Sequence, residues 1–241
     1  MKKKVLTLAL VVALVAIVVG TSLAYFTAED EVTNTFTIGS VMIDIIENGK
    51  ATDSDHVVFD KPMMPVVNTQ DVTQDPGYAE KVVKVENTGL NAAYIRVHIA
   101  QPKALLGYLE LDLDLNGWDR VFHTYVTLEN QEYIVVTYDY LTAVDPDEFT
   151  TELLRGAYLV SEVDIKDNPD TPSADLEFCK PEGTGYKFSG YVAHYKVDGG
   201  YTSNTLNILV ASQAIQVQGF ENGTATDALN AGFGENTNPW Q

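Results

Sequence analysis

Glu80-Lys81-Val82-Val83-Lys84-Val85-Glu86, the turn signal Asn87-Thr88-Gly89, and then Ala93-Tyr94-Ile95-Arg96-Val97-His98-Ile99 carry the clearest conformational signal in this 241-residue chain. In the second run the apolar Ala93, Ile95, Val97 and Ile99 alternate with Tyr94, Arg96 and His98. A period of two is that of a strand with one buried face. The two runs, separated by a glycine-containing turn, are expected to pair as a hairpin with a single apolar face.

Working outward, the same signature repeats. Val41, Ile43 and Ile45 alternate with Met42, Asp44 and Ile46 before Asn48-Gly49, and Leu109, Leu111, Leu113 and Leu115 alternate with Glu110, Asp112 and Asp114 up to Asn116-Gly117. Further strands are expected over Val121 to Leu128, Glu132 to Tyr140, Ala157 to Ile165, Tyr186 to Val197 and Leu206 to Val217. One short helix is expected from Pro146 to Arg155, with Asp145 as N-cap, Pro146 in the first turn and Gly156 past the end, and another over Thr226 to Ala231. The acidic, proline-punctuated stretch Asp164 to Asp175 reads as a surface loop. The expected fold class is all-β: an antiparallel two-sheet, jelly-roll-like sandwich with one or two short helices.

The N-terminus carries a different pattern. Lys2, Lys3 and Lys4 precede the apolar run Val5 to Val19, and Ser22-Leu23-Ala24 places small residues where a signal peptidase cuts. Cleavage is expected between Ala24 and Tyr25; the competing expectation is an uncleaved anchor over Val5 to Phe26. The domain plan is therefore a signal peptide at 1–24, an N-terminal strand segment at 25–40 available for pairing between subunits, and a single β-sandwich domain at 41–241 with an acidic loop near 164–175.

Losing residues 1–24 removes three lysines and no acids, which leaves 12 basic against 34 acidic residues, a formal charge of −22 over 217 residues. Such a chain is not expected to bind nucleic acid or anionic lipid. Any self-assembly has to overcome that repulsion through strand pairing, apolar burial or bound cations. The single Cys179 excludes an internal disulfide, so stability rests on the core.

No cofactor and no catalytic residue is expected. His56, His98, His123 and His194 are scattered, with no His-Glu-x-x-His spacing for zinc, no Gly-x-Ser-x-Gly elbow and no phosphate-binding glycine loop. The nearest metal pattern is Asp112-x-Asp114-x-Asn116-Gly117-x-Asp119, which matches the opening of a calcium loop but has His123 where a bidentate Glu belongs. Asp112, Asp114, Asn116 and Asp119 thus stand as weak calcium candidates, as do Asp164, Asp167, Asp170 and Asp175.

Several of these segments, in this order, resemble the TasA/camelysin family of exported proteins, whose signal peptides are removed by the signal peptidase SipW. The resemblance is carried by Thr21-Ser22-Leu23-Ala24-Tyr25-Phe26-Thr27, by Asn34-Thr35-Phe36-Thr37-Ile38-Gly39, and by Asp75-Pro76-Gly77 followed by Lys84-Val85-Glu86-Asn87-Thr88-Gly89 and Ala93-Tyr94-Ile95-Arg96-Val97. Ala214 to Phe220 with Ala228-Leu229-Asn230-Ala231 resembles the C-terminal segment of clostridial-type members. The resemblance covers about residues 1–100, and the last 35 more loosely. It implies a jelly-roll domain, export from a Gram-positive-type cell to the extracellular matrix or cell surface, and a role as a fibre subunit of biofilm.

Tyr25, Phe26, Phe36 and Ile38 are the expected anchors of an assembly strand that completes the sheet of a neighbouring copy, giving a head-to-tail homopolymer. The expected partners are further copies of the chain, the signal peptidase during export, and a minor matrix or anchoring protein. Two other readings compete. A camelysin-like cell-surface metallopeptidase needs a zinc site, and a cell-wall-binding module would use Tyr133, Tyr138 and Tyr140 or Tyr186, Tyr191 and Tyr195.

Overall fold

The computed structural model describes residues 27–30, 41–51, 56–58, 63–220 and 222–240. The chain forms β1 (Thr27–Asp30), β2 (Ile43–Glu47), β3 (Lys50–Ala51), β4 (His56–Val58), β5 (Ala79–Asn87), β6 (Ala93–Pro102), β7 (Leu109–Leu113) and β8 (Trp118–Leu128). It continues through β9 (Gln131–Tyr140), β10 (Leu154–Leu159), β11 (Asp164–Asp167), β12 (Leu176–Glu182), β13 (Gly185–Val197), β14 (Gly200–Ser203), β15 (Asn207–Gln216) and a C-terminal helix α1 (Ala225–Phe233).

The expected all-β antiparallel sandwich is what the chain builds. One sheet runs in the order β1-β15-β6-β9-β8, with β4 also on β15, and the second runs β3-β2-β5-β10-β7. Their facing surfaces supply the core: Ile43, Ile45, Val83, Val85, Leu154, Ala157 and Leu159 from the second sheet meet Ile95, Val97, Ile99, Ile208, Val210 and Ala214 from the first. Beyond the expected pair, β11-β12-β13-β14 form a third sheet, which adds Phe178, Tyr191 and Ala193 to the same core.

The deciding stretch folds differently from its expected hairpin. β5 and β6 lie in different sheets, with 88–92 crossing between them. Alternation shows that each strand has an apolar face; it does not show whether two such faces lie side by side or opposite one another. Asn87, fully buried, secures the crossing. Its amide donates to the carbonyls of Asn91 at 2.9 Å and Val144 at 2.8 Å, and its side-chain oxygen accepts from the Gly89 N–H at 3.0 Å.

The helix expected over Pro146 to Arg155 is absent. The Glu148 N–H donates to the Asp145 carbonyl at 3.1 Å across a turn in which Asp147 has φ of 60°, so Pro146 opens a turn instead of a helix. The chain then runs along β5: the N–H groups of Thr150 and Leu153 donate to the carbonyls of Val85 and Val83, both at 2.9 Å. β-Branched Thr150 and Thr151 suit that extended path.

The expected strand from Ala157 to Ile165 splits into β10 and β11, which belong to different sheets. The stretch Asp164 to Asp175 therefore opens as a strand paired with β12 and loops only after Asp167. α1 forms where expected, with a capping box in which the Asp227 N–H donates to the Thr224 hydroxyl oxygen at 3.1 Å and the Thr224 N–H to the Asp227 carboxylate at 3.0 Å.

Asn87→Ala removes three hydrogen bonds at the crossing and leaves the buried Gly89 N–H without its acceptor, while the Val144 carbonyl keeps the Ala93 N–H at 3.0 Å. It is expected to cost about 2–4 kcal/mol in urea unfolding, with the slope against denaturant unchanged.

Candidate functional site

The place where the N-terminal segment meets the domain is the outer edge of β15. That strand reads Asn-Ile-Leu-Val-Ala-Ser-Gln-Ala-Ile-Gln, ten residues without a charge in a strongly acidic chain, and nine of them are buried. One side of β15 pairs with β6 from Leu209↔Ala100 to Gln216↔Ala93. On the other side β4 pairs with Asn207, Ile208 and Leu209, and β1 pairs with Ser212 to Ile215 in the register Thr27↔Ile215 to Asp30↔Ser212. Two short strands thus share one long edge.

A polar layer and α1 fix that edge from outside the sandwich. Arg96 on β6 and Asp139 on β9 are both fully buried and form a two-point ion pair, Nε to Oδ1 at 2.7 Å and Nη2 to Oδ2 at 3.0 Å. Two of the three remaining guanidinium N–H groups reach the Asn230 side-chain oxygen at 2.7 Å and the Gly234 carbonyl at 3.2 Å, which ties the end of α1 to the sheet. The planar guanidinium fork suits such a pair, and each donor left unmet here would cost desolvation energy. Ile215, Ala228, Leu229 and Phe233 close an apolar cluster between β15 and α1, with Tyr94 and Phe220 against it.

His98, next along the outer face of β6, is fully buried. Its Nδ1 meets the Thr137 hydroxyl at 2.8 Å, its Nε2 meets the Gln213 side-chain oxygen at 3.1 Å, and Trp240 and Phe122 stand edge-on to its ring. Burial, with Arg96 nearby, pushes its pKa down to about 4. The imidazole is neutral near pH 7 and locks β6 to both neighbouring strands.

Of the residues singled out in the sequence, Ala24, Tyr25, Phe26, Phe36 and Ile38 lie outside the described residues, as does the 1–24 signal segment. Within the 25–40 segment only Thr27–Asp30 is described, and it pairs with its own domain. The calcium candidates are engaged separately. Asp112 accepts from the Tyr78 hydroxyl at 2.8 Å, Asp114 accepts from the Asn116 N–H at 3.0 Å and pairs with Arg155, and Asp119 faces outward on β8. The Asn116-Gly117 turn has a packing reason, since Gly117 has φ of 85° and a Cβ there would meet the Tyr140 ring at 2.9 Å. In the acidic stretch, Asp175 accepts from the Lys196 N–H at 2.7 Å. Among the described residues no three His, Cys, Asp or Glu gather as a metal-binding group.

Tyr133, Tyr138 and Tyr191 are core residues, whereas Tyr186 and Tyr195 are exposed. Cys179 is fully buried, and burial raises its thiol pKa. By alternation alone, Arg96 and His98 are the outward residues of a strand. A lone arginine in such a strand, with Asp139 between Tyr138 and Tyr140 in another, was the available sign of a covered polar layer.

Arg96→Ala leaves Asp139 as an uncompensated buried charge and is expected to cost about 3–5 kcal/mol in denaturant unfolding. His98 gives a pH signature of defined sign. Its folded pKa of about 4 lies below the ordinary 6.5, so as pH falls the unfolded chain takes up the proton first. Its stabilising contribution is complete above about pH 6.5 and declines towards pH 4, by about 3 kcal/mol at the limit. His98→Gln is expected to flatten that part of the stability profile, measured by urea unfolding from pH 7 to 4.

No protein-family model matches this chain, and neither the curated proteins nor the solved structures yield a match.

Proposed function

We propose that this chain is a secreted structural protein of an extracellular biofilm matrix, whose copies join into fibres by exchanging their N-terminal strands. The observation that carries the proposal is the attachment of β1. Four residues hold it to the rim of a sheet, on an uncharged strand, with the apolar Tyr25 and Phe26 just before it and Phe36 and Ile38 after it.

A four-residue ladder at a sheet edge is weak by itself, and an equivalent ladder to another copy costs little to substitute. Main-chain hydrogen bonds supply affinity in such a contact, while Phe and Ile side chains, each contributing about 1.5–3 kcal/mol when buried, supply anchors. The charge of −22 opposes close approach, so assembly is favoured where carboxylates are protonated or screened.

Negative-stain microscopy and sedimentation of the chain beginning at Tyr25, at pH 7 and pH 5, test this. Filaments are expected, more abundant at pH 5. Deletion of Tyr25 to Ile38 is expected to leave a cooperatively melting monomer. A parent chain that stays monomeric at both pH values and at high protein concentration overturns the proposal.

A further inference from the structure

The first sheet has two rims. At one, β15 is already occupied: β4 covers Asn207 to Leu209 and β1 covers Ser212 to Ile215, leaving only Val210, Ala211 and Gln216 without a partner strand on that side among the described residues. A fourteen-residue segment, Tyr25 to Ile38, cannot lie along this rim unless β4 is displaced. At the other rim stands β8, eleven residues long, which pairs only with β9 among the described residues.

β8 lacks the charges that usually protect an exposed edge. Asp119 is its single acid, Arg120 and a register shift follow immediately, and Val121 to Leu128 carry no Asp, Glu, Lys or Arg. The other free rims differ. β7 holds Glu110 and Asp112, β11 holds Asp164 and Asp167, β14 has four residues and β3 two. On β8 the side chains of His123, Tyr125 and Thr127, which by register stand on the core-facing side beside Val136, Ile134 and Glu132, are exposed, so the sandwich leaves this stretch uncovered. Tyr125 is 45% exposed, with the Lys103 ammonium 4.8 Å from its ring centre, and Leu106, three residues beyond that lysine, is 42% exposed.

We infer that the β8 edge, over Val121 to Leu128, is the site that receives the N-terminal segment of a second copy. This deepens the strand-exchange reading and rests on it. Length and charge both select that occupant. Eight strand residues span about 26 Å, and the uncharged part of the N-terminal segment, Val32 to Ser40, supplies nine residues with Phe36 and Ile38 two apart for one face. Between copies of net charge −22, an acid-free segment on an acid-free edge meets the least repulsion available on this surface. β1 and β8 lie at opposite ends of one sheet, so a segment leaving the first rim of one copy for the second rim of the next continues the sheet from copy to copy. The contact is heterologous and does not close.

Paired cysteines test the site in the chain beginning at Tyr25, with buried Cys179 left in place. Thr35→Cys is combined in turn with Val121→Cys, Thr124→Cys or Thr127→Cys on β8, and with Ala211→Cys on β15. Each chain is oxidised under assembly conditions and run on a non-reducing gel. Covalent ladders from one or more β8 pairs, and none from the β15 pair, are expected. Tyr125→Glu with Thr127→Glu is expected to reduce filament mass at least tenfold, with the thermal midpoint of the monomer unchanged. Ladders from the β15 pair alone, or filaments that form with no ladder from any β8 pair, overturn the assignment while strand exchange stands. A parent chain that never assembles removes both.

Discussion

The molecule depends on one constraint: the apolar faces of β5 and β6, adjacent in the chain, must bury each other from opposite sides of the core. Side by side in a hairpin they would make one half of a sandwich; opposite one another they set both halves at once. Asn87 enforces this by giving the crossing backbone the hydrogen bonds that a sheet would otherwise have supplied. Once the crossing is fixed, β2 and β10 add to β5 on one side, and β9 and β15 add to β6 on the other.

The second level of organisation is electrostatic. A chain of net charge −19 cannot hold its sheets together by surface charge, and the ion pair that is fully buried among the described residues, Arg96 with Asp139, is placed where it meets backbone and side-chain partners from the end of α1. Buried pairs of this kind add little net stability but penalise any arrangement that separates them. Here the pair specifies how the C-terminal segment lies across the sheet. His98, neutral and bonded on both ring nitrogens, extends that specification across three strands.

Strand existence was legible from period-two alternation, and α1 from its small polar start before an apolar face. Pairing partners were not, because alternation is a property of one strand and pairing is a property of two. Pro146 misled because proline fits both the first turn of a helix and the second position of a β-turn; the neighbouring unpaired backbone of β5 decided between them. β12 carries a weak strand signal because Lys180-Pro181 interrupts its apolar run, although proline is tolerated near the end of a strand. The edge character of β8 was also hidden, since the composition of Val121 to Leu128 is that of an interior strand and only the sheet order places it at a rim. The N-terminal segment showed its apolar content in the sequence, and the partner strand of Thr27–Asp30 came from the structure.

The pairing of β1 with β15 joins residues 182 to 188 positions apart, from Asp30↔Ser212 to Thr27↔Ile215, in a chain of 241. Contacts of such separation form late, because the intervening chain must first be ordered before its closure costs little entropy. During synthesis from the N-terminus, the first strand therefore emerges long before its own partner exists. For that interval its backbone groups lack the partner strand that they have in the folded chain. The topology makes the pairing of the first strand wait on one of the last, so the rim of this sheet is completed only when β15 is in place.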